Sequence, residues 1–170
     1  MWEKEGFLKD AVDTNAAMQQ LEIYIESFPI KLKQFSSEEL LKRPAKEKWS
    51  KKEILGHLID SAINNLKRFT EIQFLPQPYT VISYQQNELI IVNNYQHLSL
   101  QHLLELWQSL NRQIFFVVKA IPADKLKYPV DPQYEKGEMK TLGWIIYDYV
   151  AHMEHHFRQI FPEQERTLCS

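Results

Sequence analysis

The sequence predicts an all-α fold, a four-helix bundle in which some helices are joined by long crossover connections. Only 4 of the 170 residues are glycine. The apolar residues recur every three or four positions, which is the spacing of amphipathic helices rather than of strands. A length of 170 residues is typical of one domain with one hydrophobic core. We therefore expect a single helical domain over residues 1–170.

Four long helices account for most of the apolar pattern. They are predicted at about Ala11–Lys33, Ser50–Phe74, Ser99–Pro122 and Thr141–Phe161. Pro29 is expected to bend the first helix or to divide it. The start of the second is marked by a capping box at Ser50 and Glu53, in which a serine and a glutamate three residues later cap one another's backbone. The same spacing at Ser36 and Glu39 predicts a short additional helix.

Two connections are too long to be simple turns. Residues 75–98 are expected to contain a short helix at about Gln85–Val92 and to form a lid over a functional site. Residues 123–140 are expected to be the most mobile segment. Bundles with such connections build their sites from side chains that face inward on opposing helices.

Composition excludes several classes of function. A formal net charge of -2 provides no basic surplus for binding nucleic acid, and no apolar run is long enough to cross a membrane. The single cysteine, Cys169, cannot build a disulfide framework or a cysteine zinc site. Phosphate-binding loops and the GxSxG nucleophile motif are absent from the sequence. We expect a cytoplasmic protein.

The second long helix carries a polar stripe at helical spacing. Its members are His57, Asp60 or Ser61, Asn64 and Arg68. Residues spaced three and four apart share a helix face. A solvated face has the same periodicity, but such faces are usually rich in Lys and Glu. The mixture of His, Asp, Asn and Arg is more typical of the wall of a pocket, and this helix alone leaves both interpretations open.

The fourth long helix contains three of the six histidines. His152 and His156 are four residues apart and share a face, which Asp148 and Gln159 continue in either direction. His155 lies three residues after His152 and could replace His156 on spacing alone. Two imidazoles one turn apart can hold a divalent metal ion when another element supplies a third ligand. The HExxH motif of zinc proteases and the ExxH repeats of di-iron bundles are absent.

Two stretches of the sequence resemble the DinB superfamily of metal-binding four-helix bundles. They are KWSKKEILGHLIDSAINNLKRF and AHMEHHFRQI, residues 48–69 and 151–160. The first is most similar to the bacillithiol transferase branch, whose members are also described as metal-dependent hydrolases. The resemblance covers about residues 36–160 and implies one divalent ion, zinc or nickel, bound by His57, His152 and His156. It places His155 beside the site and implies no role for Trp144 or Tyr147.

The resemblance also implies an activity, the transfer of a low-molecular-weight thiol such as bacillithiol to electrophilic small molecules. An ion bound by three neutral imidazoles keeps its full charge and acidifies a bound thiol or water. Asn64 and Arg68 would orient the polar groups of the thiol. Asp60 would fix the tautomer of a ligating histidine, the role we prefer, or act as a general base. The alternatives are a metal-dependent hydrolase of amides or esters and a stress-response module that binds metal without catalysis.

Aromatic residues around the third long helix suggest self-association. Trp107, Phe115 and Phe116 are distributed around this helix, and together they predict more apolar surface than a single core buries. We therefore expect a homodimer.

Overall fold

The computed structural model describes residues 12–133 and 137–162. Its helices are α1 (Thr14–Leu32), α2 (Ser37–Leu41), α3 (Lys51–Glu71), α4 (Gln86–Val92), α5 (Leu100–Lys119) and α6 (Leu142–Ile160). The four long ones, α1, α3, α5 and α6, confirm the predicted four-helix bundle. Helix α3 packs against α5 and α6, and α1 packs against the same two helices. Ala11, the predicted start of the first helix, and Cys169 lie outside the described residues.

Helix α3 begins where the capping box predicts. The Ser50 hydroxyl accepts a hydrogen bond from the backbone N–H of Glu53 at 3.1 Å, and the Glu53 carboxylate accepts one from the backbone N–H of Ser50 at 2.8 Å. Glu53 is buried and also pairs with Arg43. The reciprocal cap fixes the first turn of the helix that carries His57. The helix ends at Glu71, three residues earlier than predicted.

Pro29 does not divide the first helix. Helix α1 continues through Pro29 to Leu32. The proline ring removes one backbone hydrogen bond to the preceding turn. On either side of it, Phe28 and Leu32 are almost fully buried, so packing against the other helices stabilises both halves of α1.

An aromatic cluster joins three of the long helices. Phe28 of α1 stacks on Phe157 of α6 with ring centroids 4.3 Å apart, and it also contacts Trp107 of α5 at 4.7 Å. Each such pair adds about 0.5–1.5 kcal/mol beyond the area that it buries. Trp107 is 0% exposed, so the expectation that it contributes to an apolar surface is wrong.

The two long connections meet in a small sheet that the sequence does not predict. Strand β1 (Tyr79–Thr80) pairs in parallel with β2 (Pro129–Asp131), and β2 pairs antiparallel with β3 (Lys140–Thr141). The segment expected to be the most mobile therefore contributes two strands. The predicted short helix in the first connection is present as α4, followed by a 3-10 turn at Tyr95–His97. Within the described ranges, none of the helices has the length and apolar character needed to cross a membrane.

Candidate functional site

Three histidines from two facing helices converge at one point. His57 lies on α3, and His152 and His156 lie one turn apart on α6. Nε2 of His152 is 3.2 Å from Nε2 of His57 and 3.1 Å from Nε2 of His156. One ring nitrogen from each of the three histidines can be chosen so that all lie within 4.8 Å of one another. Two nitrogens that bind the same tetrahedral zinc ion lie about 3.3 Å apart, so the spacing fits a metal site.

All three imidazoles are neutral near pH 7. Burial and, to a smaller extent, the neighbouring histidines lower the pKa of His57 to about 3 and that of His152 to about 4. Burial also lowers the pKa of His156, although its hydrogen bond to Gln159 acts in the opposite direction. Neutral imidazole is the form that binds metal. One shared proton can satisfy only one of the close nitrogen pairs, whereas a cation satisfies all three nitrogens.

Gln159 fixes the tautomer of His156. Its side-chain oxygen lies 2.8 Å from His156 Nδ1, and an amide oxygen can only accept, so Nδ1 carries the proton. The lone pair of Nε2 then faces the other two histidines. The Gln159 amide nitrogen lies 3.0 Å from Nε2 of His155, which orients the amide. His155 is exposed and remains outside the cluster; the sequence showed Gln159 on this face but not this role.

Trp49 covers one side of the cluster. Its ring centroid is 4.9 Å from that of His57 and 6.4 Å from that of His156. Sequence reasoning missed this residue, although it directly precedes the Ser50 cap of α3 and so must lie near the start of that helix. The aromatic ring shields two of the histidines from solvent.

A polar cavity of about 390 Å³ adjoins the cluster at His152. Its wall combines residues of α3, α6 and both long connections. They are Ser61, Asn65, Arg68, Val81, Ser83, Tyr84, Gln86, Pro132, Gln133, Ile145, Asp148, Tyr149 and His152. Ser61, Asn65 and Arg68 of α3 therefore face a pocket rather than bulk solvent. The first connection lines this pocket with Val81, Ser83, Tyr84 and Gln86, where the sequence predicts a lid.

The structure corrects the asparagine predicted for this pocket. Asn65 lines the cavity, whereas Asn64 does not belong to its wall and donates instead to the backbone oxygen of Asp60 at 2.8 Å. The cavity face of α3 runs from His57 through Ser61 and Asn65. Asp60 and Asn64 lie on the adjoining face, because neighbouring helix positions point about 100° apart.

Asp60 does not fill either predicted role. Its Oδ1 accepts hydrogen bonds from Tyr95 and Asn93, at 2.6 and 3.0 Å. Nδ1 of His57 has no hydrogen-bond partner among the described residues, so Asp60 does not set the tautomer of that histidine. It is also absent from the cavity wall, which leaves it without the access to substrate that a general base needs.

Arg68 lies where the sequence predicts, in the cavity wall. It donates to the backbone oxygen of Ile82 at 2.9 Å and to the side-chain oxygen of Asn65 at 3.4 Å. Its guanidinium carbon lies 5.8 Å from the centroid of the Tyr84 ring. Burial raises the pKa of Tyr84, whose hydroxyl is hydrogen-bonded to Ser61.

The two histidines not yet described, and the two aromatic residues for which the resemblance implies no role, lie elsewhere. His97 and His102 are exposed. Tyr147 is 45% exposed, and the Trp144 ring lies 4.9 Å from the Lys140 ammonium. The structure assigns none of these four residues to the cluster or to the cavity.

Comparison with known proteins identifies relatives of the whole bundle. A model of the DinB superfamily matches residues 20–160. YfiT from Bacillus subtilis, a probable metal-dependent hydrolase with an unusual four-helix bundle topology, superimposes with a TM-score of 0.77 at 20% identity, over 93% of this chain and 91% of that one. A mycothiol-dependent maleylpyruvate isomerase superimposes with a TM-score of 0.65 at 13% identity, over 86% of this chain and 60% of that one. A sequence comparison with curated proteins gave no match.

Proposed function

The chain belongs to the DinB superfamily, and from this premise we propose that it is a metal-dependent enzyme that transfers a low-molecular-weight thiol, such as bacillithiol, to electrophilic small molecules. One divalent ion, zinc or nickel, would be held by His57, His152 and His156. The observation that carries the proposal is that three neutral histidines converge at the wall of a polar cavity, with His152 in both.

The ligand set supports a catalytic rather than a purely structural ion. Structural zinc sites usually have four protein ligands, whereas catalytic sites have three and leave a position for substrate. Among the described residues, three histidines converge here. A divalent ion bound by neutral imidazoles supplies a Lewis acid that favours the thiolate form of a bound thiol.

The cavity offers groups that suit the rest of the thiol. Arg68 has five N–H donors and, among the described residues, donates to two protein oxygens through the hydrogen bonds given above. Its charge and planar geometry favour a carboxylate. Asn65 takes the place that the sequence assigned to Asn64, and the hydroxyls of Ser61 and Tyr84 add hydrogen-bonding groups. A small polar thiol with an anionic group matches this wall.

The comparisons favour two reaction types. The mycothiol-dependent isomerase shows that the fold can serve an enzyme that uses a low-molecular-weight thiol, which supports the transferase. YfiT, described as a probable metal-dependent hydrolase, is structurally more similar, and it supports hydrolysis of an amide or ester as the second candidate. For the hydrolase alternative, the carboxylate that lies in the cavity wall is that of Asp148, whereas Asp60 lies outside the wall. A metal-binding stress-response module without catalysis is the third candidate.

The proposal includes a location and a set of partners. The substrates would be a small thiol and an electrophilic small molecule. Since low-molecular-weight thiols are kept reduced in the cytosol, we place the enzyme in the cytoplasm.

The test compares metal-loaded wild type with His156→Ala and Arg68→Ala, using monochlorobimane and several low-molecular-weight thiols in turn. We expect loss of turnover in His156→Ala and a raised KM for the thiol in Arg68→Ala. His102→Ala, which changes an exposed histidine outside the cluster, should match the wild type. Equal activity in all variants would contradict the proposal, and cleavage of an ester or amide without any thiol would favour the hydrolase.

A further inference from the structure

We propose that Asp60 and Tyr95 are positioning residues, whose hydrogen bond ties the connection between α3 and α5 to α3 and thereby holds the segment Val81–Gln86 in the cavity wall. This inference rests on the proposed function in one respect, since it takes the cavity as the place where substrate binds. It assigns Asp60 a role that neither the stripe pattern nor the ligand set suggests.

The anchor is a group of three polar side chains joined at Asp60 Oδ1, whereas Asp60 Oδ2 is buried without a hydrogen-bond partner among the described residues. Tyr95 donates its hydroxyl proton to Asp60 Oδ1 at 2.6 Å, and the Asn93 amide nitrogen lies 3.0 Å from the same oxygen and 3.1 Å from the Tyr95 hydroxyl. Asp60 is 3% exposed and Tyr95 is 4% exposed. A buried carboxylate is costly unless it is hydrogen-bonded. The two bonds from the connection therefore stabilise Asp60 and, with it, the docked position of Tyr95.

The backbone is adapted to receive the Tyr95 ring. A Cβ atom added to Gly56 would lie 2.2 Å from Cδ2 and 2.4 Å from Cγ of Tyr95, so a larger residue at this position would displace the ring. Glycine inside a helix is less stable than alanine, and the contact with the Tyr95 ring explains its presence here. Asn94, between Asn93 and Tyr95, has a left-handed φ of 55°. Gly56 and Asp60 are four residues apart and present one face of α3 to the connection.

A second set of contacts holds the other end of the segment. The backbone N–H of Val81 donates to the backbone oxygen of Asp131 at 2.9 Å, in continuation of the sheet, and Arg68 donates to the backbone oxygen of Ile82 at 2.9 Å. Residues 81–86, which include Tyr84 in the cavity wall, thus lie between these contacts at the sheet and the anchor at Asp60. Loss of the Asp60 anchor removes the hydrogen bonds that hold this end of the connection and leaves α4 attached to α3 by packing, with Ile90 buried between them.

The anchor should affect substrate binding more than metal binding or the chemical step. Asp60 and Tyr95 belong neither to the histidine cluster nor to the cavity wall. Their effect reaches the site through the placement of residues 81–86, including Tyr84. We therefore expect a raised KM with kcat and metal content preserved when the anchor is weakened.

Hydrogen exchange and kinetics together test this inference. Tyr95→Phe keeps the ring over Gly56 and removes only the hydroxyl, and Asp60→Ala removes the acceptor, whereas Asp60→Asn keeps a side-chain oxygen that can accept from Tyr95. In protein without substrate, we expect amide exchange within residues 81–95 to be about tenfold faster in Tyr95→Phe and Asp60→Ala. It should be close to wild type in Asp60→Asn, with KM following the same order.

Tyr24→Phe is the matched control. It removes a tyrosine–carboxylate bond of 2.8 Å, from Tyr24 to Glu154, in another part of the bundle, and should leave exchange in residues 81–95 unchanged. Wild-type exchange across this segment in Tyr95→Phe would overturn the inference. Loss of turnover in Asp60→Asn with unchanged exchange would overturn it too, because Asp60 would then act in the chemical step. If wild type itself shows no turnover, the proposed function fails while the exchange data still decide whether Asp60 and Tyr95 position the segment.

Discussion

The side chain of His57 is 1% exposed, and this burial favours metal binding over proton transfer. A histidine that acts as a general base needs a pKa near the working pH, whereas burial and the two neighbouring histidines lower the pKa of His57 to about 3. The imidazole is therefore held neutral, with His152 Nε2 3.2 Å from its own Nε2. The same features that make it a poor base keep its lone pair available for a cation.

Replacing His57 with alanine should abolish stoichiometric metal binding. The reason is that α6 alone supplies only His152 and His156, and two imidazoles do not make the three-ligand set. Elemental analysis after dialysis against zinc or nickel should give one ion per chain in wild type and far less in His57→Ala. The exposed His97 and His102 serve as controls, since their alanine variants should retain the ion. A His57→Ala protein with a full equivalent of metal would show that the ligand set is wrong.

The metal-free protein should lose stability as the pH falls below about 6.5. The ordinary histidine pKa is 6.5, and the folded values are about 3 for His57 and about 4 for His152. Between these limits the unfolded chain binds protons that the folded chain excludes, so acidification favours unfolding. Above pH 6.5 neither state binds them and the effect disappears. The slope approaches about 1.4 kcal/mol per pH unit for each histidine that stays neutral.

Urea unfolding from pH 7.5 to pH 4.5 measures this dependence. Comparison with His57→Gln separates the effect of His57 from that of the carboxylates, because both proteins share the latter. The slope of the unfolding free energy against pH should be smaller in the variant, by the equivalent of roughly one bound proton. Parallel curves for the two proteins would mean that His57 titrates normally in the folded state.

Individual side chains show where sequence reasoning reaches its limit. The spacing of four placed His152 and His156 on one face correctly, and the structure brings both of them next to His57. The same reasoning selected Asn64 in place of Asn65. From His57 the polar face can continue through Asp60 to Asn64 or through Ser61 to Asn65, and spacing does not decide between the two. Only packing decides between them: α4 and the turn at Tyr95 cover the Asp60 side, which leaves the Ser61 side to face the cavity.

At the level of elements, the sequence predicts features that depend on residues close together in the chain, but not contacts between distant segments. Both capping boxes involve residues three apart, and both are present in the structure. In the small sheet, β1 pairs with β2, and these strands of two and three residues are about fifty positions apart in sequence. Such strands are too short for an alternating apolar pattern. The contact between Gly56 and Tyr95 likewise spans two elements, so the glycine has no local explanation in the sequence.

The cap of α3 should be worth more than the cap of α2. Ser50 is 0% exposed, and its partner Glu53 is 1% exposed. The Ser36 and Glu39 pair has the same bonds but lies in solvent, on a helix of five residues. We expect Ser50→Ala to lower the free energy of unfolding by about 1–2 kcal/mol and Ser36→Ala by about 0.5 kcal/mol.

Urea unfolding of metal-free protein, at one pH above 7, measures both cap variants under the same conditions. Because Ser50 caps the helix that carries His57, Ser50→Ala should also weaken metal binding, while Ser36→Ala should leave it unchanged. Equal losses of stability in the two variants would show that burial of the cap does not matter.

At the level of the molecule, one group of exposed apolar side chains lies on a pair of packed helices, α1 and α5. Ile23 and Ile30 of α1 are 57% and 65% exposed, and Phe116 of α5 is 64% exposed. Ile23 and Ile30 are seven residues apart and share a face. Glu26 lies between them on that face and pairs with Arg112, one turn before Phe116, at 3.1 Å. The exposed face of the α1–α5 pair therefore combines three large apolar side chains around one ion pair.

This face leads to the prediction that the protein forms a homodimer through α1 and α5, although Trp107 takes no part because it lies in the core. Light scattering at micromolar concentration should give about twice the chain mass of 20.3 kDa. Phe116→Lys should reduce the mass to that of one chain, since a buried, unpaired ammonium at the interface is costly. Phe74→Lys changes a phenylalanine that is 69% exposed beyond the end of α3, and that variant should remain dimeric. A wild-type protein of single-chain mass would contradict the prediction, and dissociation of both variants would place the interface elsewhere.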